Sequence, residues 1–80
     1  MRIDKFLKVS RIIKRRTVAN DACDAAHVSV NGKPVKASYD VKIGDRITVT
    51  FGTKTLTVEV LAVRDHVLKD AAGELYRVID

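Results

Sequence analysis

Little in this 80-residue chain invites covalent chemistry. Cys23 is the single cysteine, so no internal disulfide can form and a thiolate metal site lacks its ligands. His27 and His66 lie far apart, and neither has the HxxxH or CxxC spacing of a metal centre. The four glycines, Gly32, Gly44, Gly52 and Gly73, are isolated turn residues, which excludes a glycine-rich phosphate loop. Ser10, Ser29 and Ser38 lack a nucleophile-elbow context. Asp40 and Asp45 sit beside turns, where Asx-type bonding accounts for them. No catalytic residue, metal or cofactor is expected. Tryptophan is absent, and of the two tyrosines and two phenylalanines only Phe6 lies before residue 37, on an apolar stripe. A stacking platform for unpaired bases is therefore excluded. No apolar run approaches the ~20 residues that span a bilayer. Charges in "MRIDKFLK" occupy the place where a signal peptide has its apolar segment. The expectation is one small cytoplasmic domain with no membrane partner.

Acidic residues are scarce in one half only. Residues 1–36 hold nine Lys/Arg against three Asp, whereas residues 37–80 hold six Lys/Arg against seven acids. The whole surplus of the +5 net charge thus sits in the first half. A basic half on a neutral half has a charged face, the footprint of a polyanion binder.

The apolar spacing divides the chain in the same way. Ile3, Phe6, Leu7 and Ser10 recur at three and four, as on one side of a helix, with Asp4 favouring its start. Arg2, Lys5 and Lys8 form a neighbouring stripe. After Ile12 and Ile13 comes the basic turn Lys14-Arg15-Arg16. Thr17 then reads as the N-cap of a second helix, with Val18, Ala22 and Ala25 or Ala26 facing inward and Cys23 a buried thiol. From Val28 the period changes to two. "VSVNGKPV" has the Asn-Gly signature of a hairpin, and "VKIGDRITVTF" a Gly44-Asp45 turn before a strand with Ile47, Val49 and Phe51 on one face. "TLTVEVLAV" alternates again, and "LYRVI" follows a polar turn at Ala72-Gly73. This predicts an α+β fold: two short helices, then a small antiparallel sheet.

A solvated helix face is the default meaning of a charge run. Three features set this one apart. The cations at the turn include Arg15 and Arg16, whose guanidinium groups can grip phosphate in bidentate fashion. A helix N-terminus follows at once, with free N–H groups. The neutralising acids are nearly absent before Asp21. A phosphate backbone is the expected occupant, and without an aromatic platform folded RNA read by shape suits the composition best.

The order "MRIDKFLKVSRIIKRRTVAND", "VSVNGKPV", "VKIGDRITV" resembles the RNA-binding domain named after bacterial ribosomal protein S-four. That family combines an Arg-Leu-Asp-like start, a basic helix-turn-helix, a Val-x-Val-Asn-Gly hairpin and a Gly-Asp turn. The resemblance covers roughly residues 1–50 and implies a single RNA-binding domain over residues 1–80. Its helix-turn-helix-hairpin core is the alpha-L motif, and strands in about 51–80 complete it. Where the family commonly has Gly, this chain has His27, which is expected to take the left-handed position of a helix C-cap.

The run "RIDKFLKVSRIIKRRT" is similar to the ribosome quality-control branch of the family, a relative of heat-shock protein fifteen. This implies a monomeric, non-enzymatic factor whose partners are 23S rRNA of obstructed large subunits, the peptidyl-tRNA they hold, and the NFACT-family protein RqcH. The factor would support addition of C-terminal alanine tails without a template. By position, Arg2 and Arg16 match the family's contacts with ribosomal RNA and tRNA. Lys5, Lys8, Arg11, Lys14, Arg15, Thr17 and Lys33 complete the expected RNA-binding set. A general ribosome-assembly or heat-shock RNA-binding role, or the targeting of an RNA-modifying enzyme, are the alternatives.

Overall fold

In the computed structural model, which describes residues 1–79, two helices cover one face of an antiparallel sheet. Helix α1 spans Ile3–Val9 and buries Ile3, Phe6 and Leu7 on the expected stripe. It ends at Ser10, and Arg11 then adopts a left-handed backbone, with φ 63°. The Ile13 N–H donates back to the Leu7 carbonyl at 3.0 Å, which draws Ile13 into the core. Helix α2 spans Arg16–Asp24 and buries Ala19 and Cys23.

That inward face differs from the expected one. Val18 is half exposed, Ala22 is half-buried, and Ala25 and Ala26 face solvent. The helix also starts earlier than expected: Arg15 is the N-cap, and Thr17 makes no capping bond. Side chains i and i+4 share a helix face, and Arg16 and Asn20 both reach Asp4 on α1. This anchoring fixes the phase of α2. It brings Ala19 and Cys23 beneath the anchor, one residue, or about 100°, away from the stripe read from Val18.

The C-terminus of α2 corrects the reading of His27. Ala26 N–H donates to the Cys23 carbonyl at 3.0 Å, and His27 N–H to the Ala22 carbonyl at 2.8 Å. That pair of bonds is the Schellman arrangement. The left-handed residue is therefore Ala26, with φ 61°, one position before His27.

Strands β1 (Val28–Val30), β2 (Lys33–Pro34), β3 (Arg46–Phe51), β4 (Lys54–Val60) and β5 (Tyr76–Val78) form one sheet in the order β2-β1-β3-β4-β5. Asn31 and Gly32 both have positive φ, as a two-residue hairpin of the primed type requires. Val28 pairs with Val49, Val30 with Ile47, and Ile47 with Val58, so one face is aliphatic and packs on the helices. The other face carries Ser29, Thr48 and Thr57, with the two threonine hydroxyls 3.1 Å apart. Phe51 belongs to the aliphatic face by parity, yet it is half exposed at the hairpin end, beyond the reach of the helices.

Asp45 holds the Gly44 turn together. Its carboxylate accepts the Tyr39 hydroxyl at 2.9 Å, the Lys42 N–H at 3.0 Å and the Asn31 amide at 3.2 Å. This is the structural role its position suggested. Around Ala72-Gly73, where a polar turn was expected, residues Lys69–Leu75 instead form a 3-10 helix that buries Ala72 and Leu75. Two inward apolar side chains three apart suit three residues per turn.

The cap geometry generates a prediction. Ala26→Gly should stabilise the fold by ~0.5–1 kcal/mol, because glycine carries no Cβ penalty at positive φ. His27→Gly should give no such gain. Urea melts of the two variants decide the matter, and a gain confined to His27→Gly would contradict the assigned cap.

Candidate nucleic-acid interface

The site is organised by a carboxylate that is almost wholly buried. Asp4 Oδ1 accepts the Lys5 N–H at 2.8 Å and lies 3.3 Å from both Arg2 Nε and an Arg16 guanidinium nitrogen. Its Oδ2 accepts the Asn20 amide at 3.3 Å and the second arm of Arg2 at 3.4 Å. Burial alone would raise the pKa of Asp4. The bonds from Asn20, Arg16 and the Lys5 N–H outweigh that penalty and hold it below the usual carboxylate value. Both guanidinium groups remain about half exposed, 51% for Arg2 and 44% for Arg16. Each can thus lean on Asp4 with one edge and present the other to solvent. Burial, joined by the charges of Asp4 and Asp24, pushes the Cys23 thiol up to about 11, so this buried cysteine is inert.

Two depressions flank Arg16. The smaller is bounded by Arg2, Asp4, Arg16, Thr17, Asn20 and Asp21. The larger, of about 690 Å³, has Lys5, Lys8, Arg11, Lys14 and Arg16 along its helical side. Asp65, His66, Val67 and Lys69, beyond the end of β4, also line it. The left-handed turn at Arg11 reverses the chain, so that residues from α1, the turn and α2 line one groove. Low-dielectric walls around like charges focus the field toward a mobile anion.

Most of the expected RNA-binding residues therefore converge. Lys5, Lys8, Arg11, Lys14 and Arg16 share the groove, and Arg2 and Thr17 line the adjoining depression. Arg15 lines neither; it caps α2 and is exposed. Lys33 lies on the distant β1–β2 hairpin, opposite Val30 and exposed. Arg16 is tethered, since Asp4 holds one edge of its guanidinium group. Lys69 also lines the groove. Its sequence separation from the basic cluster concealed this, and only the path of the 3-10 helix brings it there. Among the described residues no group of three or more His, Cys, Asp or Glu side chains is placed to hold a metal, and no helix is long and apolar enough to cross a membrane.

A cationic helix pair mounted on a small antiparallel sheet defines a basic α+β module suited to phosphate backbones. The S4 domain matches residues 1–47, and the chain belongs to that family. It is 51% identical to the RQC P-site tRNA stabilizing factor of Bacillus subtilis, over 99% of this chain and 92% of the relative. A protein of the same name from Halalkalibacterium halodurans is 50% identical over 98% of this chain and 89% of its own. Among solved structures, trimeric Heat Shock Protein 15 of Vibrio cholerae superposes with a TM-score of 0.90 at 32% identity, covering 98% of this chain and 80% of that one.

Asp4 supplies the second prediction. Asp4→Asn removes the charge that Arg2 and Arg16 share and should cost ~1.5–3 kcal/mol, the range for hydrogen bonds to charged groups. Because the folded pKa is lowered, the stabilisation is complete above the unfolded value of about 3.9 and is lost as pH falls through the folded value. The gap between wild type and Asp4→Asn in urea melts should therefore narrow on acidification. A gap that stays constant from pH 7 to pH 2 would contradict the role of the ionised carboxylate.

Proposed function

We propose that this protein is a non-enzymatic RNA-binding factor of ribosome-associated quality control. It binds 23S rRNA and peptidyl-tRNA on obstructed large subunits in the cytoplasm, and it supports template-free alanine tailing by RqcH. The observation that carries the reading is the pair of half-exposed guanidinium groups, Arg2 and Arg16, pre-positioned on buried Asp4 beside a groove of further cations. Pre-positioning lowers the rotamer entropy lost on binding, which is otherwise a substantial cost for long side chains. The name shared by the two Bacillus-type relatives, RQC P-site tRNA stabilizing factor, supports tRNA as one of the ligands. Lys5, Lys8, Arg11 and Lys14 contact phosphate in this reading. Arg15, Thr17 and Lys33 sit at its margins.

A general large-subunit RNA-binding role is the second reading, favoured by the likeness to Heat Shock Protein 15. Co-purification of the tagged protein separates the two. Large subunits carrying peptidyl-tRNA and RqcH support the first, and bare subunit precursors the second.

Binding should weaken steeply with salt, each neutralised phosphate adding ~0.7–0.9 to the log–log slope. Arg16→Ala should weaken binding to large subunits by roughly ten- to a hundredfold, the equivalent of one charge-assisted contact. Arg16→Lys should recover only part of that loss, for it keeps the charge without the planar fork. Sedimentation with large subunits, at a temperature where melts show each variant folded, tests this. Unchanged co-sedimentation of Arg16→Ala would remove Arg16 from the interface.

A further inference from the structure

We infer that the segment Asp65–Lys69 is a second wall of the RNA groove, closing one phosphodiester strand against α1 and the basic turn. The inference rests on the RNA-binding reading above and extends it to residues beyond the matched 1–47. Lys69 and His66 line the groove together with Lys5, Lys8 and Arg11, so nitrogen donors reach it from two separate stretches of the chain. Val9 and Val67 also line it and give apolar surface between the cations. The chain on either side of the wall is drawn together at its base. Leu61 N–H and Ala62 N–H donate to the Leu75 carbonyl at 2.8 and 3.3 Å, and Ala71 N–H donates to the Leu68 carbonyl at 2.9 Å.

Asp65 is the one carboxylate lining the groove, and its side chain is 82% exposed. It lies 3.5 Å from Lys5 Nζ, the sole ion pair across the groove among the described residues. Such an exposed, solvent-screened pair is weak. An entering phosphodiester, which the other Lys and Arg side chains of the groove also attract, can take Lys5 from Asp65 at little cost. Asp65 thus acts as an internal competitor. It relieves cation repulsion in the empty groove and lowers affinity for RNA.

The test measures binding of purified large ribosomal subunits to Lys69→Ala, Asp65→Asn, Lys8→Ala and Lys54→Ala across a salt series. Lys54 lies on the β3–β4 hairpin and lines neither depression. Lys69→Ala should weaken binding about three- to tenfold and lower the salt slope by just under one. Asp65→Asn should tighten binding several-fold, and Lys54→Ala should match wild type. The second wall is wrong if Lys69→Ala and Asp65→Asn both bind like Lys54→Ala while Lys8→Ala is weakened; the RNA-binding reading would then stand. If Lys8→Ala also matches wild type, the reading and the wall fail together.

Discussion

A single buried carboxylate governs the helical half of this protein. Asp4 is sealed from solvent in the first turn of α1, where an unpaired charge would be strongly destabilising. Its compensation comes from Arg2, the Lys5 N–H, Arg16 and Asn20, and the last two lie on a different helix. The requirement to satisfy Asp4 therefore docks α2 on α1 and sets its rotation. Ala19 and Cys23 follow into the core as a consequence. The same bonds hold two guanidinium groups close to one another despite their mutual repulsion. Stability and the cationic face rest on one set of contacts.

The remaining cations are spared that duty. Lys8, Arg11 and Lys14 make no ion pair among the described residues, and Lys5 meets only the exposed Asp65. Free cations concentrate where the chain reverses between the helices, and acids elsewhere serve the sheet. Asp45 secures a turn, and Glu59 pairs with Arg77 between β4 and β5. The charge imbalance between the two halves is thus a division of labour. The first half carries the free cations of the groove save Lys69, while Asp45 and Glu59 of the second half serve the sheet.

Much of this was legible in the residues. The period-two alternation from Val28, the Asn31-Gly32 pair and the Gly44-Asp45 turn are local signals, and the strands they mark appear where expected. Ile3, Phe6 and Leu7 marked the core face of α1 equally well. The misreadings share one cause, namely long-range contact. Thr17 has the chemistry of a cap, but the tie between Arg16 and Asp4 lets the helix begin two residues earlier. The small side chains of α2 give too weak an apolar pattern to define its inward face, so the polar anchor decides it. Ala26 rather than His27 takes the left-handed position, since the closing bonds of α2 run from Ala26 and His27 to Cys23 and Ala22. Lys69 joins the groove through a 3-10 helix that the Ala72-Gly73 pair disguised as a turn.

The central claim is that the face organised by Asp4 is the surface that meets RNA. Cryo-electron microscopy of the protein captured on large ribosomal subunits tests it most directly. In that complex α1, the Arg11 turn and the start of α2 should lie against phosphate backbone, with Arg2 and Arg16 still joined to Asp4. A complex in which the threonine-bearing face of the sheet meets RNA, while the two guanidinium groups point to solvent, would contradict it.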